Sequence, residues 1–100
     1  MKVLVVDDSS YARHKIGEAL RKAGIEVIEA ASGEEALLLM KDIEFNAVTV
    51  DLLMPGMDGI ELIRKIKAHW PGLKIIALSA DVQEATQKEV LIAGANRCLL

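Results

Sequence analysis

The amino-acid sequence predicts an α/β domain in which helices cover both faces of a doubly wound, parallel, five-stranded sheet. First, the apolar runs "KVLVV" (2–6), "AVTV" (47–50) and "KIIAL" (74–78) are rich in Val and Ile. They lack the polar alternation that marks a strand with one solvent-facing side. Second, segments with helical signals lie between these runs. A strict alternation of strands and helices indicates parallel strands joined by right-handed crossovers.

The predicted strands differ in their expected burial. The three apolar runs above are predicted as central strands, buried on both faces. The segment "EVIEA" (26–30) carries two glutamates and is therefore predicted as an edge strand. The segment "CLL" (98–100) predicts the start of a last strand. The predicted order of elements is β-α-β-α-β-α-β-α-β.

Helices are predicted over residues 10–23, 33–41, 59–68 and 82–93. The last three begin with a capping box, in which a cap residue is followed three positions later by a glutamate. These pairs are Ser32 with Glu35, Asp58 with Glu61, and Asp81 with Glu84. The helices end at residues that favour termination: Gly24, Pro71-Gly72 and Gly94.

The composition indicates one domain over residues 1–100 in a cytoplasmic protein. A formal net charge of −3 gives no general attraction to nucleic acid or to an anionic membrane surface. No apolar run has the length of a membrane span, and the N-terminus lacks the pattern of a signal peptide. The single cysteine, Cys98, has no partner for an internal disulfide or for a zinc site.

Acidic and hydroxyl side chains follow three of the predicted strands. Asp7 and Asp8 follow the first strand, Asp51 the third and Ser79 the fourth. Because the carboxyl ends of parallel strands meet at one edge of the sheet, we expect these four residues to lie together. Three carboxylates at one edge repel each other, and their ionised forms need a cation. Oxygen ligands suit Mg²⁺, which often shares its site with a phosphate.

These residue types also suit phosphoryl transfer. Asp51 can act as a nucleophile, because carboxylates form acyl phosphates. Ser79 can donate a hydrogen bond to a phosphoryl oxygen. Taken singly, each of the four residues is more commonly a helix cap or a turn residue. Their combination at one predicted edge favours the functional interpretation.

The segments "VLVVDDS" (3–9), "DLLMPGMDG" (51–59), "LSA" (78–80) and "AGA" (93–95) occur in this order. Together they resemble the receiver domain of bacterial two-component response regulators, over the whole chain. The resemblance implies a flavodoxin-like sheet with strand order 2-1-3-4-5, which is the known order of the chemotaxis-type receiver.

The resemblance also implies a role for each site residue. Asp51 matches the phosphoacceptor, which receives its phosphoryl group from a sensor histidine kinase or a phosphotransfer protein. Asp7 and Asp8, with Asp51, match the Mg²⁺ ligands, and the backbone carbonyl of Leu53 matches the main-chain ligand. Ser79 matches the hydroxyl that senses the phosphoryl group.

Further residues match the parts of a receiver that shape and read the site. The site-shaping loop corresponds to Met54, Pro55, Gly56, Asp58 and Gly59, and the small Ala80 leaves room for access to the site. Cys98 falls at the switch position, where the family often has an aromatic residue. A cysteine cannot make the inward swing of an aromatic ring.

The family's Lys-Pro pair would begin at position 101, so the resemblance predicts a receiver truncated before that motif and before the final helix. We expect part of the sheet face carried by "KVLVV" and "CLL" to be bare apolar surface as a result. Such a surface favours self-association.

Three alternative functions would also use this type of fold. A phosphohydrolase of the haloacid-dehalogenase type needs a carboxylate two residues after the nucleophile, where this chain has Leu53. A flavin or nucleotide carrier would place its phosphate beside Asp7 and Asp8, which would repel it. A binding or self-association module could keep the fold and the metal site without signalling. The favoured prediction is a non-enzymatic phosphoacceptor domain with an unknown downstream effector.

Overall fold

The computed structural model of the protein describes residues 1–53, 58–79 and 84–99, with only the backbone described at residues 84 and 85. Strands and helices alternate as predicted. In chain order they are β1 (Lys2–Val6), α1 (Ser10–Lys22), β2 (Glu26–Ala30), α2 (Gly33–Asp42), β3 (Ala47–Asp51), α3 (Gly59–His69), β4 (Lys74–Leu78), α4 (Glu84–Ala93) and β5 (Arg97–Leu99).

The five strands form one sheet in the order β2-β1-β3-β4-β5, and every neighbouring pair is parallel. This confirms the predicted order 2-1-3-4-5. The chain moves outward from β1 to β2, then crosses back to place β3 on the other side of β1. The carboxyl ends of β1 and β3 are therefore adjacent at the switch in strand order, where α/β sheets bind their ligands.

Helices lie on both faces of the sheet. On one face, α1 covers Val3, Val5 and Val27 with side chains that include Ile16 and Leu20. The larger core lies on the other face, beneath α2, α3 and α4. Its fully buried members are Leu4, Ala36, Val48, Val50, Leu62, Ile63, Ile66, Ile75, Ala77 and Val90. No helix in the described part of the chain is long and apolar enough to cross a membrane.

Two of the predicted capping boxes begin their helices as expected. Ser32 Oγ accepts a hydrogen bond from the Glu35 amide, and Asp58 Oδ1 accepts one from the Glu61 amide. The third predicted cap, Asp81, lies outside the described residues.

The burial of β4 differs from the prediction. Ile75 and Ala77 are fully buried beneath the helices, but Ile76 and Leu78 on the opposite face are only partly buried. In the register of the sheet, Leu78 lies beside Leu99 of β5, which is 45% exposed. The expectation of two buried faces was wrong because α1, the only helix described on this face, packs over β1 and β2.

The position of the exposed apolar surface also needs correction. We expected it on the face carried by "KVLVV" and "CLL"; Leu99 of the second segment is exposed, but Val3 and Val5 of the first are buried by α1. It lies instead over β4 and β5, where Ile76, Leu78 and Leu99 form what we call the open sheet face.

Candidate functional site

Three carboxylates meet at the carboxyl end of the sheet. Asp7 and Asp8 follow β1, and Asp51 ends β3. One ligand oxygen from each residue lies within 4.8 Å of the others. Asp7 is buried, Asp51 is half-buried and Asp8 is exposed. The structure thus brings together the three acidic residues that the sequence placed at this edge.

Asp7 is held through its backbone and its side chain. Its amide donates to the Ala30 carbonyl at 3.1 Å, which extends the pairing of β1 with β2 by one residue. Its Oδ1 accepts from the Ser9 amide at 2.9 Å, and its carbonyl accepts from Arg13 Nη1 at 2.6 Å. The chain leaving β1 is therefore fixed where it carries the acidic pair.

The carboxylate of Asp51 lies beside the backbone that follows β3. Its Oδ1 accepts from the Leu53 amide at 3.2 Å, and this contact fixes the orientation of the carboxylate. Burial raises the pKa of Asp51 above its ordinary value of 3.8. The Leu53 hydrogen bond opposes that rise in pKa, while the charges of Asp7 and Asp8 add to it. The ionised form of this site thus needs a positive charge.

The donor set fits a hard divalent cation. All the ligand atoms of the cluster are carboxylate oxygens, and no histidine or cysteine among the described residues belongs to it. Oxygen-only sites favour Mg²⁺ over zinc. The residues that would hold the ion are Asp7, Asp8 and Asp51. The Leu53 backbone is next to this cluster, because its amide donates a hydrogen bond to Asp51.

Ser79 lies at the same edge, one residue beyond β4. In the sheet, Asp51 is paired with Leu78, and the Leu52 amide donates to the Leu78 carbonyl at 3.1 Å. Ser79 is buried, and its amide donates to the Leu99 carbonyl. The fold therefore brings Ser79, the residue with the predicted hydroxyl, to the edge of the sheet that carries the acidic cluster.

The predicted site-shaping loop is described only in part. Asp58 acts as the N-cap of α3, and the Gly59 amide donates to the Leu52 carbonyl at 3.3 Å. Met54, Pro55 and Gly56 lie outside the described residues, as does Ala80.

Cys98, which the resemblance predicts to occupy the switch position, is half-buried and packs against the larger core. It lies beside the buried Ala77 in the sheet.

Sequence reasoning missed Arg13. Its guanidinium contacts the Asp7 carbonyl and also Glu29 Oε1, on the neighbouring strand β2. The ion pair joins residues 16 positions apart, and the other acceptor is a backbone carbonyl. No local motif of the sequence marks such contacts; only the placement of α1 beside β2 could have suggested them.

Residues 3–100 match the family described as "Response regulator receiver domain". This chain belongs to the response regulator receiver family. The chemotaxis protein CheY of Thermotoga maritima is 41% identical to this receiver domain over 96 residues, which are 95% of this chain and 80% of that protein. A cyclic di-GMP phosphodiesterase of the same organism is 36% identical over 96 residues, which are 26% of its length.

Solved structures agree with the receiver fold. Vibrio cholerae CheY4 has 32% identity and a TM-score of 0.94, over 99% of this chain and 84% of that one. The response regulator TrrA of Thermotoga maritima, solved in complex with Mg(2+)-BeF, has 30% identity and a TM-score of 0.90, over 99% of this chain and 84% of that one. These likenesses confirm the predicted family and the predicted fold.

Proposed function

We propose that this receiver domain accepts a phosphoryl group on Asp51 from a phosphohistidine of a sensor histidine kinase or a phosphotransfer protein. The observation that carries the proposal is the meeting of Asp7, Asp8 and Asp51 within 4.8 Å at the switch in strand order. In TrrA, a relative by fold and family, the same kind of domain is complexed with Mg(2+)-BeF. The domain is proposed to act as a signalling module without turnover of an external substrate.

The proposed magnesium ligands are Asp7, Asp8, Asp51 and the backbone carbonyl of Leu53. Bound Mg²⁺ would neutralise the carboxylates and the oxygens of the entering phosphoryl group. The raised pKa of Asp51 supports this requirement, because burial, with the charges of Asp7 and Asp8 adding to its effect, disfavours the ionised carboxylate when no cation is bound.

The transfer itself would use the Asp51 carboxylate as the nucleophile. One carboxylate oxygen donates an electron pair to phosphorus, and the phosphorus–nitrogen bond of the donor breaks with its electron pair returning to the imidazole. The hydrogen bond from the Leu53 amide to Oδ1 holds the carboxylate at the sheet edge for this attack. The Ser79 hydroxyl is proposed to donate to a phosphoryl oxygen after transfer.

Intact-mass spectrometry with a small acyl phosphate, such as acetyl phosphate, tests the reaction. The native chain should gain the mass of one phosphoryl group when Mg²⁺ is present, and Asp51→Asn should gain none. Asp42→Asn is the matched control, because Asp42 is exposed at the end of α2 beside the amino ends of the strands. Equal mass gain in Asp51→Asn, or no gain in the native chain with Mg²⁺, would contradict the proposal.

A binding module without signalling is the second candidate, and Cys98 favours it. Its small side chain packs on the core where the family often carries a mobile ring. Amide NMR spectra with Mg²⁺ and beryllofluoride separate the two functions. Shifts that spread from the acidic cluster to Ser79 and β5 would support a switch that acts on a downstream effector. Shifts confined to the acidic cluster would support the binding module.

A further inference from the structure

We propose that Arg13 is a positioning residue for the acidic pair Asp7 and Asp8, an inference that rests on the proposed function. The planar guanidinium of Arg13 makes two contacts in different directions. Nη1 donates to the Asp7 backbone carbonyl at 2.6 Å, and Nε donates to Glu29 Oε1 at 3.2 Å. One side chain of α1 thus ties the turn after β1 to strand β2.

The contact acts on the peptide group between the two aspartates. The carbonyl of Asp7 and the amide of Asp8 belong to one planar unit, so a donor that fixes the first also fixes the second. Asp7 is buried and has further contacts through its amide and its Oδ1. Asp8 is exposed. The direction of its side chain therefore depends on the orientation of the peptide plane that Arg13 contacts.

The chemistry of the contact requires arginine. A guanidinium offers several donors in a fixed plane, whereas an ammonium is a single point charge on a flexible stem. The Arg13 side chain is only 17% exposed, so both contacts are shielded from water. A lysine at this position could keep the charge but could not reach the two acceptors with the same geometry.

The charges behind the acidic cluster support the same role. Glu29 accepts from Arg13 through Oε1 and from Arg21 through Oε2, each at 3.2 Å. The Glu29 carboxylate thus anchors the Arg13 guanidinium through Nε, while Nη1 donates to the Asp7 carbonyl. Because arginine stays protonated, this ion pair persists over the pH range in which the aspartates are ionised.

Calorimetric titration with Mg²⁺ alone tests the inference. We expect Arg13→Met to bind Mg²⁺ about tenfold more weakly than the native chain, which is the value of one hydrogen bond to a charged group. Arg21→Met is the matched control, since Arg21 also contacts Glu29 but makes no hydrogen bond to Asp7 among the contacts described. Both variants lose an ion pair with Glu29, but only Arg13→Met should lose magnesium affinity.

Arg13→Lys provides a second variant should Arg13→Met fail to fold. It should weaken Mg²⁺ binding several-fold despite its retained charge, because the ammonium cannot span both acceptors. NMR without metal adds a direct structural readout. The chemical shift of the Asp8 amide nitrogen should change in both Arg13 variants and should be unchanged in Arg21→Met.

The possible failures are distinguishable. If the native chain binds Mg²⁺ and the Arg13 variants match it within about twofold, this inference is overturned and the proposed function stands. Equal weakening in the Arg13 and Arg21 variants would also overturn it, since the effect would then follow the lost ion pair with Glu29 and not the contact with the Asp7 carbonyl. If the native chain binds no Mg²⁺, the proposed function fails and the inference falls with it.

Discussion

Gly59 lies directly against the backbone of Asp51. A Cβ atom added at Gly59 would stand 2.5 Å from the Asp51 carbonyl oxygen and 2.5 Å from Leu52 Cα. Both neighbours are backbone atoms, so rotation of a side chain could not relieve the clash. The missing side chain lets the start of α3 approach the end of β3, where the acidic cluster lies.

The substitution Gly59→Ala should therefore destabilise the fold by about 1–3 kcal/mol, because α3 or β3 must shift to admit the methyl group. Urea unfolding measures this loss, and the Mg²⁺ affinity should fall with it. Gly72→Ala is the control, since nothing lies within 4 Å of a Cβ atom there. Its stability should stay within about 0.5 kcal/mol of the native chain. An equal effect at the two glycines would refute the packing argument.

The hydroxyl of Thr49 is buried without a hydrogen-bond partner among the described residues. The residue is 8% exposed and lies in the centre of the sheet between Val5 and Ile76. Thr49→Val keeps the shape of the side chain and removes the unpaired group, so it should raise the free energy of unfolding by about 1 kcal/mol.

Thr49→Ser provides the comparison, because it keeps the hydroxyl and removes a buried methyl group. It should be less stable than the native chain by about 1 kcal/mol. A valine variant less stable than the native chain would show that the hydroxyl has a favourable contact.

The raised pKa of Asp51 predicts a dependence of stability on pH. Since the folded-state pKa lies above 3.8, the folded chain binds this proton more tightly than the unfolded chain does. Ionised Asp51 thus opposes folding at neutral pH. That cost decreases as pH falls through the raised pKa and is gone below the ordinary value of 3.8.

Asp51→Asn should accordingly be more stable than the native chain at neutral pH without divalent ions, and the difference should shrink as the solution is acidified. Chemical denaturation across the pH range measures it. Mg²⁺ serves as the control, because at a hundredfold excess over its dissociation constant it should stabilise the native chain by about 2.7 kcal/mol. A native chain more stable than the variant at neutral pH without metal would contradict this explanation.

The open sheet face predicts self-association. Ile76 and Leu78 are half-buried there, and Leu99 is 45% exposed beside Leu78. Sedimentation should show association of the native chain at high concentration, and Leu99→Glu should reduce it. Ile92→Glu is the matched control, because Ile92 is 85% exposed but lies on α4. A native chain that sediments as a monomer would disprove the prediction.

The elements themselves could be predicted because their signals are local. The predicted strands at 2–6 and 26–30 coincide with β1 and β2, and the helix predicted at 33–41 ends one residue before α2 does. The acidic cluster could be predicted because the topology of a parallel sheet brings the carboxyl ends of its strands together. The strand order itself was implied by the family resemblance.

What the sequence could not predict depends on contacts between distant segments. The partial burial of β4 follows from where α1 lies on the sheet. The proposed role of Arg13 follows from its contacts with Glu29 and with the Asp7 backbone carbonyl. The unpaired hydroxyl of Thr49 becomes visible only once its neighbours are in place. These features depend on the tertiary arrangement, which the local pattern of residues does not encode.

The strand order has a consequence for folding kinetics. β1 and β3 are hydrogen-bonded neighbours, although α1, β2 and α2 lie between them in the chain. The Lys2 amide likewise donates a hydrogen bond to the side chain of Asn46, which is 44 positions away. Such long-range pairing slows folding, because the loop must close before its contacts are gained. The acidic cluster spans the same two strands, so it exists only after they have paired. A cation bound there would therefore lower the rate of unfolding and leave the rate of folding nearly unchanged.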